Sequence, residues 1–172
     1  FVGDGMAVLI ERILPPAART PDGMAGVLTH YRAAYDRRWK AKTQPYAGIE
    51  ELLTALTAQG IPLAVSSNKP QPDTATMAHF LGHHRFEVIF GQRDHVTRKP
   101  DPAGAWEIAA QLGLPPAEVL FIGDTATDMD TATAAGMIPV GVLWGFRQEA
   151  ELRAHGARHV VGRPEEILSL FS

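Results

Sequence analysis

The sequence predicts an α/β fold, a parallel sheet flanked by helices, with a small helical unit ahead of it. Three observations carry that expectation. Beyond residue 45, short apolar runs alternate with helix-length segments, the pattern of βαβ units on a parallel sheet. Before that point two helical patterns follow one another with no strand between them. And 172 residues at 45% hydrophobic composition suffice for one buried core plus an appendage, not for two full domains.

The elements follow in order. From Met6, the apolar positions Leu9, Ile10, Ile13 and Leu14 recur at helical spacing until Pro15 and Pro16 end the run. Thr20 is placed as an N-cap with Pro21 at the first helical position, and Met24, Val27, Leu28, Tyr31 and Tyr35 then form one apolar stripe. Residues 1–42 are therefore expected to be a helical unit, and residues 43–172 the α/β core. In the core a helix over 49–59 stops at Gly60, and 62–66 is a short buried strand. Further strands are expected at 86–90, 119–122 and 139–143. Helices are expected at 73–81, 102–112, 128–135, 148–154 and 164–170. No internal repeat or low-complexity segment interrupts the series.

A formal net charge of −3 with mixed signs offers no basic stripe for nucleic acid and no polybasic segment for a membrane surface. The absence of cysteine excludes thiolate chemistry and leaves oxygen or histidine as metal donors. It fits a cytoplasmic location. No apolar run approaches a membrane span, and Phe1–Gly5 lacks the character of a signal peptide. Phe1 is not preceded by an initiating Met, so the sequence is expected to begin within a longer or processed product.

Open parallel sheets bind ligands beyond the carboxyl ends of their strands, which directs attention to three places. After the first core strand stands Ser66-Ser67-Asn68-Lys69-Pro70, where Ser67 and nearby backbone N–H groups can meet an anion. The same residues can equally form only a turn. Next, Lys99 is pinned ahead of Pro100-Asp101-Pro102 at a helix start, as a point charge for a phosphoryl group or as a solvated surface lysine. Finally, Ile122-Gly123-Asp124 runs on to Thr125 and Asp128. Asp128 follows Asp124 by about one helical turn, so both carboxylates can approach one point. Hard oxygen ligands suit Mg²⁺, which takes one or two carboxylates plus water and phosphate. Asp128 or Thr127 acting only as a cap is the alternative. The metal reading outweighs it, because Asp124 ends an apolar strand and has no local duty.

Taken in order, Ser67-Asn68-Lys69, then Lys99-Pro100-Asp101-Pro102, then Ile122-Gly123-Asp124 with Asp128, resemble the second, third and fourth motifs of haloacid-dehalogenase-type phosphatases. Pro45-Tyr46-Ala47-Gly48, Phe90-Gly91-Gln92-Arg93, Ala134-Ala135-Gly136 and Val142-Leu143-Trp144-Gly145-Phe146-Arg147 are similar to the phosphoglycolate-phosphatase-like branch. The resemblance implies a Rossmann-like core with a partial helical cap, and a Mg²⁺-dependent hydrolase of a small phosphorylated metabolite. Ser67 would bond the transferring phosphoryl oxygens, Lys99 would be their charge partner, and Asp124 would ligate Mg²⁺, with Asp128 ligating it or orienting from behind. Asn68 and Thr125 are further candidates for phosphate or supporting contacts.

The family's first motif, Asp-x-Asp-Gly-Thr at the end of a central strand, supplies its phosphorylated nucleophile and its general acid/base. This sequence has no match to it. Val2-Gly3-Asp4-Gly5 stands nearest, with Val2 in the nucleophile's place, and fits better as the start of a cap helix. The resemblance thus implies a sheet lacking its central first strand, with dimerisation as one way to satisfy the open edges. A degenerate module that binds phosphate or oligomerises without catalysis is the alternative function. His83-His84 is read as loop, since adjacent side chains diverge on a helix. Trp39, Trp106 and Trp144 are read as packing residues.

Overall fold

The computed structural model describes residues 6–82 and 85–171. The expected helix start at Asp4-Gly5 and the His83-His84 loop lie outside the described residues. The chain divides between Gln44 and Pro45 into two compact units, each described by itself.

In the first unit, α1 (Met6–Ile13) is followed by a 3₁₀ turn (Pro16–Ala18) and α2 (Pro21–Arg38). Thr20 caps α2 by accepting the Gly23 N–H at 3.1 Å. Asp22 sits in the first turn and Arg37 and Arg38 in the last, the arrangement that complements the helix dipole. Tyr31 and Tyr35, one turn apart, stack with ring centroids 6.1 Å apart. No residue of α2 is fully buried.

The second unit alternates as expected. It runs α3 (Ile49–Ala58), β1 (Ala64–Pro70), α4 (Gln71–Phe80), β2 (Val88–Gln92), α5 (Ala103–Leu112), β3 (Leu120–Gly123), α6 (Ala126–Ala135), β4 (Ile138–Val142), α7 (Glu149–Ala154) and β5 (His159–Val161), closed by a 3₁₀ helix (Pro164–Phe171). All pairings are parallel, with β1 beside β2 and β3-β4-β5 as a second set. One face of β4 and β5 meets α3 and the terminal helix through Leu52, Leu56, Val140, Val142, Val161 and Ile167. A second cluster packs α5 and α6 against β3 and the turn before β4 through Ala105, Ala109, Phe121, Ala132, Ala135 and Met137. The small residues of α5 and α6 let the helices lie close to the sheet. Among the described residues no helix is long and apolar enough to cross a membrane.

Three elements differ from expectation. β1 runs on to Pro70, its register with β2 shifting between Ser66 and Pro70, so Ser67 and Asn68 occupy the irregular end of a strand. β5 was not expected, because three residues are too few to show a period. The terminal helix is 3₁₀ rather than α. Pro164 and Ile167 are buried and Leu170 packs behind them, and this spacing of three matches the 3₁₀ repeat.

Among the described residues, β1 and β3 are not paired with each other. An apolar groove of about 370 Å³ separates them, walled by Ala64 and Ser66 on one side and Leu120, Phe121 and Ile122 on the other. Ile122, a strand residue, is 40% exposed as a result.

Candidate active site

The carboxyl ends of β1, β3 and β4 carry the candidate residues. The segment between β2 and α5 brings Lys99 to them, and local hydrogen bonds fix its path. Gln92 donates its side-chain amide to the carbonyls of Arg93 and Val96 at 2.8 and 2.6 Å. Arg93 lies over the Phe90 ring and forks onto Glu107 of α5 at 2.8 and 2.7 Å. Those hydrogen bonds hold the Glu107 carboxyl below its ordinary range. Asp101 accepts the Ala103 N–H at 2.9 Å and so starts α5.

Lys99 then reaches inward. Its Nζ donates to Asp128 Oδ1 at 2.7 Å and to the Ser66 carbonyl at 3.0 Å, and stands 5.6 Å from the Phe121 ring centroid. The Lys99 and Asp128 side chains are only 15% and 12% exposed. An ion pair so enclosed resists screening, and breaking it from one side is costly. Lys99 is therefore not a solvated surface charge. On its other side Asp128 accepts the Thr125 hydroxyl at Oδ2, 2.7 Å away, while Thr125 Oγ1 caps α6 by accepting the Asp128 N–H. Ser67 Oγ accepts the Lys69 N–H at 3.1 Å, which leaves its own proton available to an incoming anion. Asn68, 8% exposed, bonds the Lys99 backbone at both N–H and C=O, 2.9 and 3.0 Å.

Asp124 is held differently. Its Oδ2 accepts the Phe146 N–H at 2.8 Å, from the loop after β4. A side chain on Gly145 would collide with this carboxylate, so the glycine is what lets the loop wrap it. Gly123 does the same for the ion pair, since a Cβ there would lie 2.7 Å from Asp128 Oδ2 and closer still to the rest of that side chain. Gly123 and Gly145 were not singled out from the sequence as site residues. The signal was present, as Gly123 ends an apolar strand and Gly145 lies in the loop just beyond another. Gly123→Ala is expected to cost about 1–3 kcal/mol of stability by overpacking, measured by urea denaturation. An unchanged midpoint would mean that Asp128 does not sit against β3.

Both Asp128 oxygens are engaged by Lys99 and Thr125, so this carboxylate is braced rather than open. Asp124 Oδ1 accepts from no group among the described residues, and no set of three or more His, Asp or Glu residues gathers there. One open carboxylate oxygen with a second carboxylate behind it suits Mg²⁺, which retains several waters and is completed by substrate phosphate. It does not suit an ion that demands a full cage of protein ligands. Trp106, half-exposed on α5, donates to the Ala135 carbonyl, and Trp144 packs on the α3 side of the sheet.

Comparison with known proteins gives this arrangement a family. A model described as haloacid dehalogenase-like hydrolase matches residues 6–142. Phosphoglycolate phosphatase of Pectobacterium atrosepticum is 31% identical over 179 aligned positions, covering 100% of this chain and 72% of the relative. N-acetylmuramic acid 6-phosphate phosphatase of Pseudomonas aeruginosa is 34% identical over 139 positions, covering 80% of this chain and 62% of that one. The crystal structure of a Lactobacillus delbrueckii subsp. bulgaricus protein, 29% identical, superposes with a TM-score of 0.91, covering 99% of this chain and 80% of that one.

Proposed function

The chain belongs to the haloacid dehalogenase-like hydrolases, and from that premise we propose that it is a phosphatase of small, phosphoglycolate-like phosphomonoesters that works with Mg²⁺. The observation that carries this reading is the junction at which Lys99 Nζ bridges the Ser66 carbonyl of β1 and Asp128 behind β3. It ties a cation both to β1, next in sequence to Ser67, and to the first turn of the helix that follows Asp124, which supports the reading.

A phosphomonoester brings close to two negative charges, and these must be offset before any nucleophile can approach phosphorus. Lys99 contributes a positive charge preorganised by Asp128 and Ser66. Ser67 donates its hydroxyl proton to a phosphoryl oxygen while the Lys69 N–H holds its lone pair. Asp124 would help hold the metal, with its Oδ2 steadied by the Phe146 N–H. Mg²⁺ held there would supply further counter-charge and polarise the phosphoryl oxygens. Thr125 keeps Asp128 facing Lys99. The family's nucleophile motif has no match within residues 1–172, and attack on phosphorus is not a step these residues perform.

That same gap in the motifs, together with the open edges of β1 and β3, favours one second reading, a phosphate-binding module without turnover. Phosphate release separates the two. The intact gene product, incubated with Mg²⁺ and a panel including 2-phosphoglycolate, N-acetylmuramic acid 6-phosphate and p-nitrophenyl phosphate, is expected to release inorganic phosphate and to stop on addition of EDTA. Release from none of the panel would overturn the phosphatase reading, and activity untouched by chelation would overturn the metal.

A further inference from the structure

We infer that Asn68 is a positioning residue for Lys99, setting the lysine's reach from β1 rather than serving as a contact for substrate. The inference rests on the phosphatase reading only for its kinetic consequence. Its geometry stands by itself.

Lys99 lies in an irregular segment, and nothing in regular secondary structure fixes the height of its Cα above the sheet. Asn68 does so. Its Oδ1 accepts the Lys99 N–H at 2.9 Å and its Nδ2 donates to the Lys99 carbonyl at 3.0 Å, so one planar amide grips one residue at both polar atoms. Two bonds from a single rigid group define direction as well as distance. Asn68 is 8% exposed, so water competes poorly for these bonds. It also stands two residues from Ser66, whose carbonyl takes the Lys99 Nζ. Lys99 is therefore tied to the end of β1 at both extremities, backbone through Asn68 and ammonium through Ser66, before it turns to Asp128. A lysine side chain has several rotatable bonds and loses much entropy when fixed. Holding its root removes one source of that freedom and keeps Nζ within 2.7 Å of Asp128 Oδ1.

The chemistry of the amide sets the test. Aspartate at this position keeps the acceptor for the Lys99 N–H but presents an oxygen to the Lys99 carbonyl. Alanine loses both bonds. Asn68→Ala is expected to lower kcat by about tenfold or more with KM changed by less than about twofold, because the cation acts on charge in the transition state. In a Lys99→Met background the same change is expected to have no further effect beyond about twofold, since the residue it positions is gone. A rise in KM at unchanged kcat, or a further loss of about tenfold in the Lys99→Met background, would overturn the inference in favour of direct substrate contact. Should Asn68→Ala fail to fold, Asn68→Asp keeps the volume and one bond, and is expected to show the same split.

A second readout does not depend on turnover. By NMR, the Lys99 amide and ammonium protons are expected to exchange slowly in the wild-type protein and faster by about tenfold or more in the Asn68 variant. Unchanged protection of both groups would overturn the positioning role, even if the phosphatase reading stands. Absence of turnover in the wild type with protection lost in the variant would overturn that reading and leave the positioning role intact.

Discussion

Replacing Lys99 by Met is expected to lower kcat/KM on p-nitrophenyl phosphate by at least about a hundredfold, equivalent to about 2.7 kcal/mol of transition-state stabilisation. Methionine approximates the length of the lysine stem and removes only the charge and its donors. The loss is expected mainly in kcat. The structure adds a consequence for stability. With Nζ gone, the 12%-exposed Asp128 carboxylate keeps only the Thr125 hydroxyl, and an orphaned buried charge costs about 3–5 kcal/mol. A double variant, Lys99→Met with Asp128→Asn, separates the two effects. It is expected to recover most of the stability, because no charge is left unpaired, and none of the activity. Steady-state kinetics alongside urea denaturation of the three proteins makes the comparison. More than half of the wild-type rate in Lys99→Met would show the lysine to be structural only.

Residues 1–172 prepared alone are expected to associate, exchange strands or rearrange rather than persist as a cooperative monomer with the sheet divided. Among the described residues, β1 and β3 each turn an open parallel edge onto the apolar groove between them, and Ile122 is left 40% exposed on its wall. Each buried backbone group without a partner costs about 1–3 kcal/mol. Several of them consume a margin that is about 5–15 kcal/mol for an ordinary domain. Open edges recruit strands, and a parallel strand entering this groove would satisfy both sides at once. Size-exclusion chromatography with light scattering, on material of confirmed mass, is the measurement. A single 18.6 kDa species that unfolds cooperatively with the groove unfilled would show that side chains alone can seal it.

The alternation of elements was legible because it is a one-dimensional signal. Thr20-Pro21 announces the start of α2 through the chemistry of its own side chain and ring, and both act where expected. The order of β1, β2, β3 and β4 follows from apolar runs that must be covered on both faces. β5 escaped, because three strand residues carry no period, and the expected terminal helix showed its 3₁₀ character only in its hydrogen bonds, since a repeat of three resembles a helical stripe.

For the site, the sequence by itself determined the residue types and the strand ends that bear them: Ser67 and Asn68 at the end of β1, Lys99 before α5, Asp124 after β3 and Asp128 in the first turn of α6. Which of these meet was decided only by the tertiary structure. Lys99 and Asp128 lie far apart in sequence, in the segment before α5 and the first turn of α6, and they pair in the fold, which engages one oxygen of the Asp128 carboxylate. Asn68, a candidate for phosphate or supporting contacts, bonds the Lys99 backbone at both polar atoms, and Asp124 gains its partner from a loop after another strand. The physical reason is common to all three. A side chain's chemistry is a local property that its identity carries, whereas a hydrogen bond needs a distance and a direction, and these exist only once packed helices and strands hold distant segments in register.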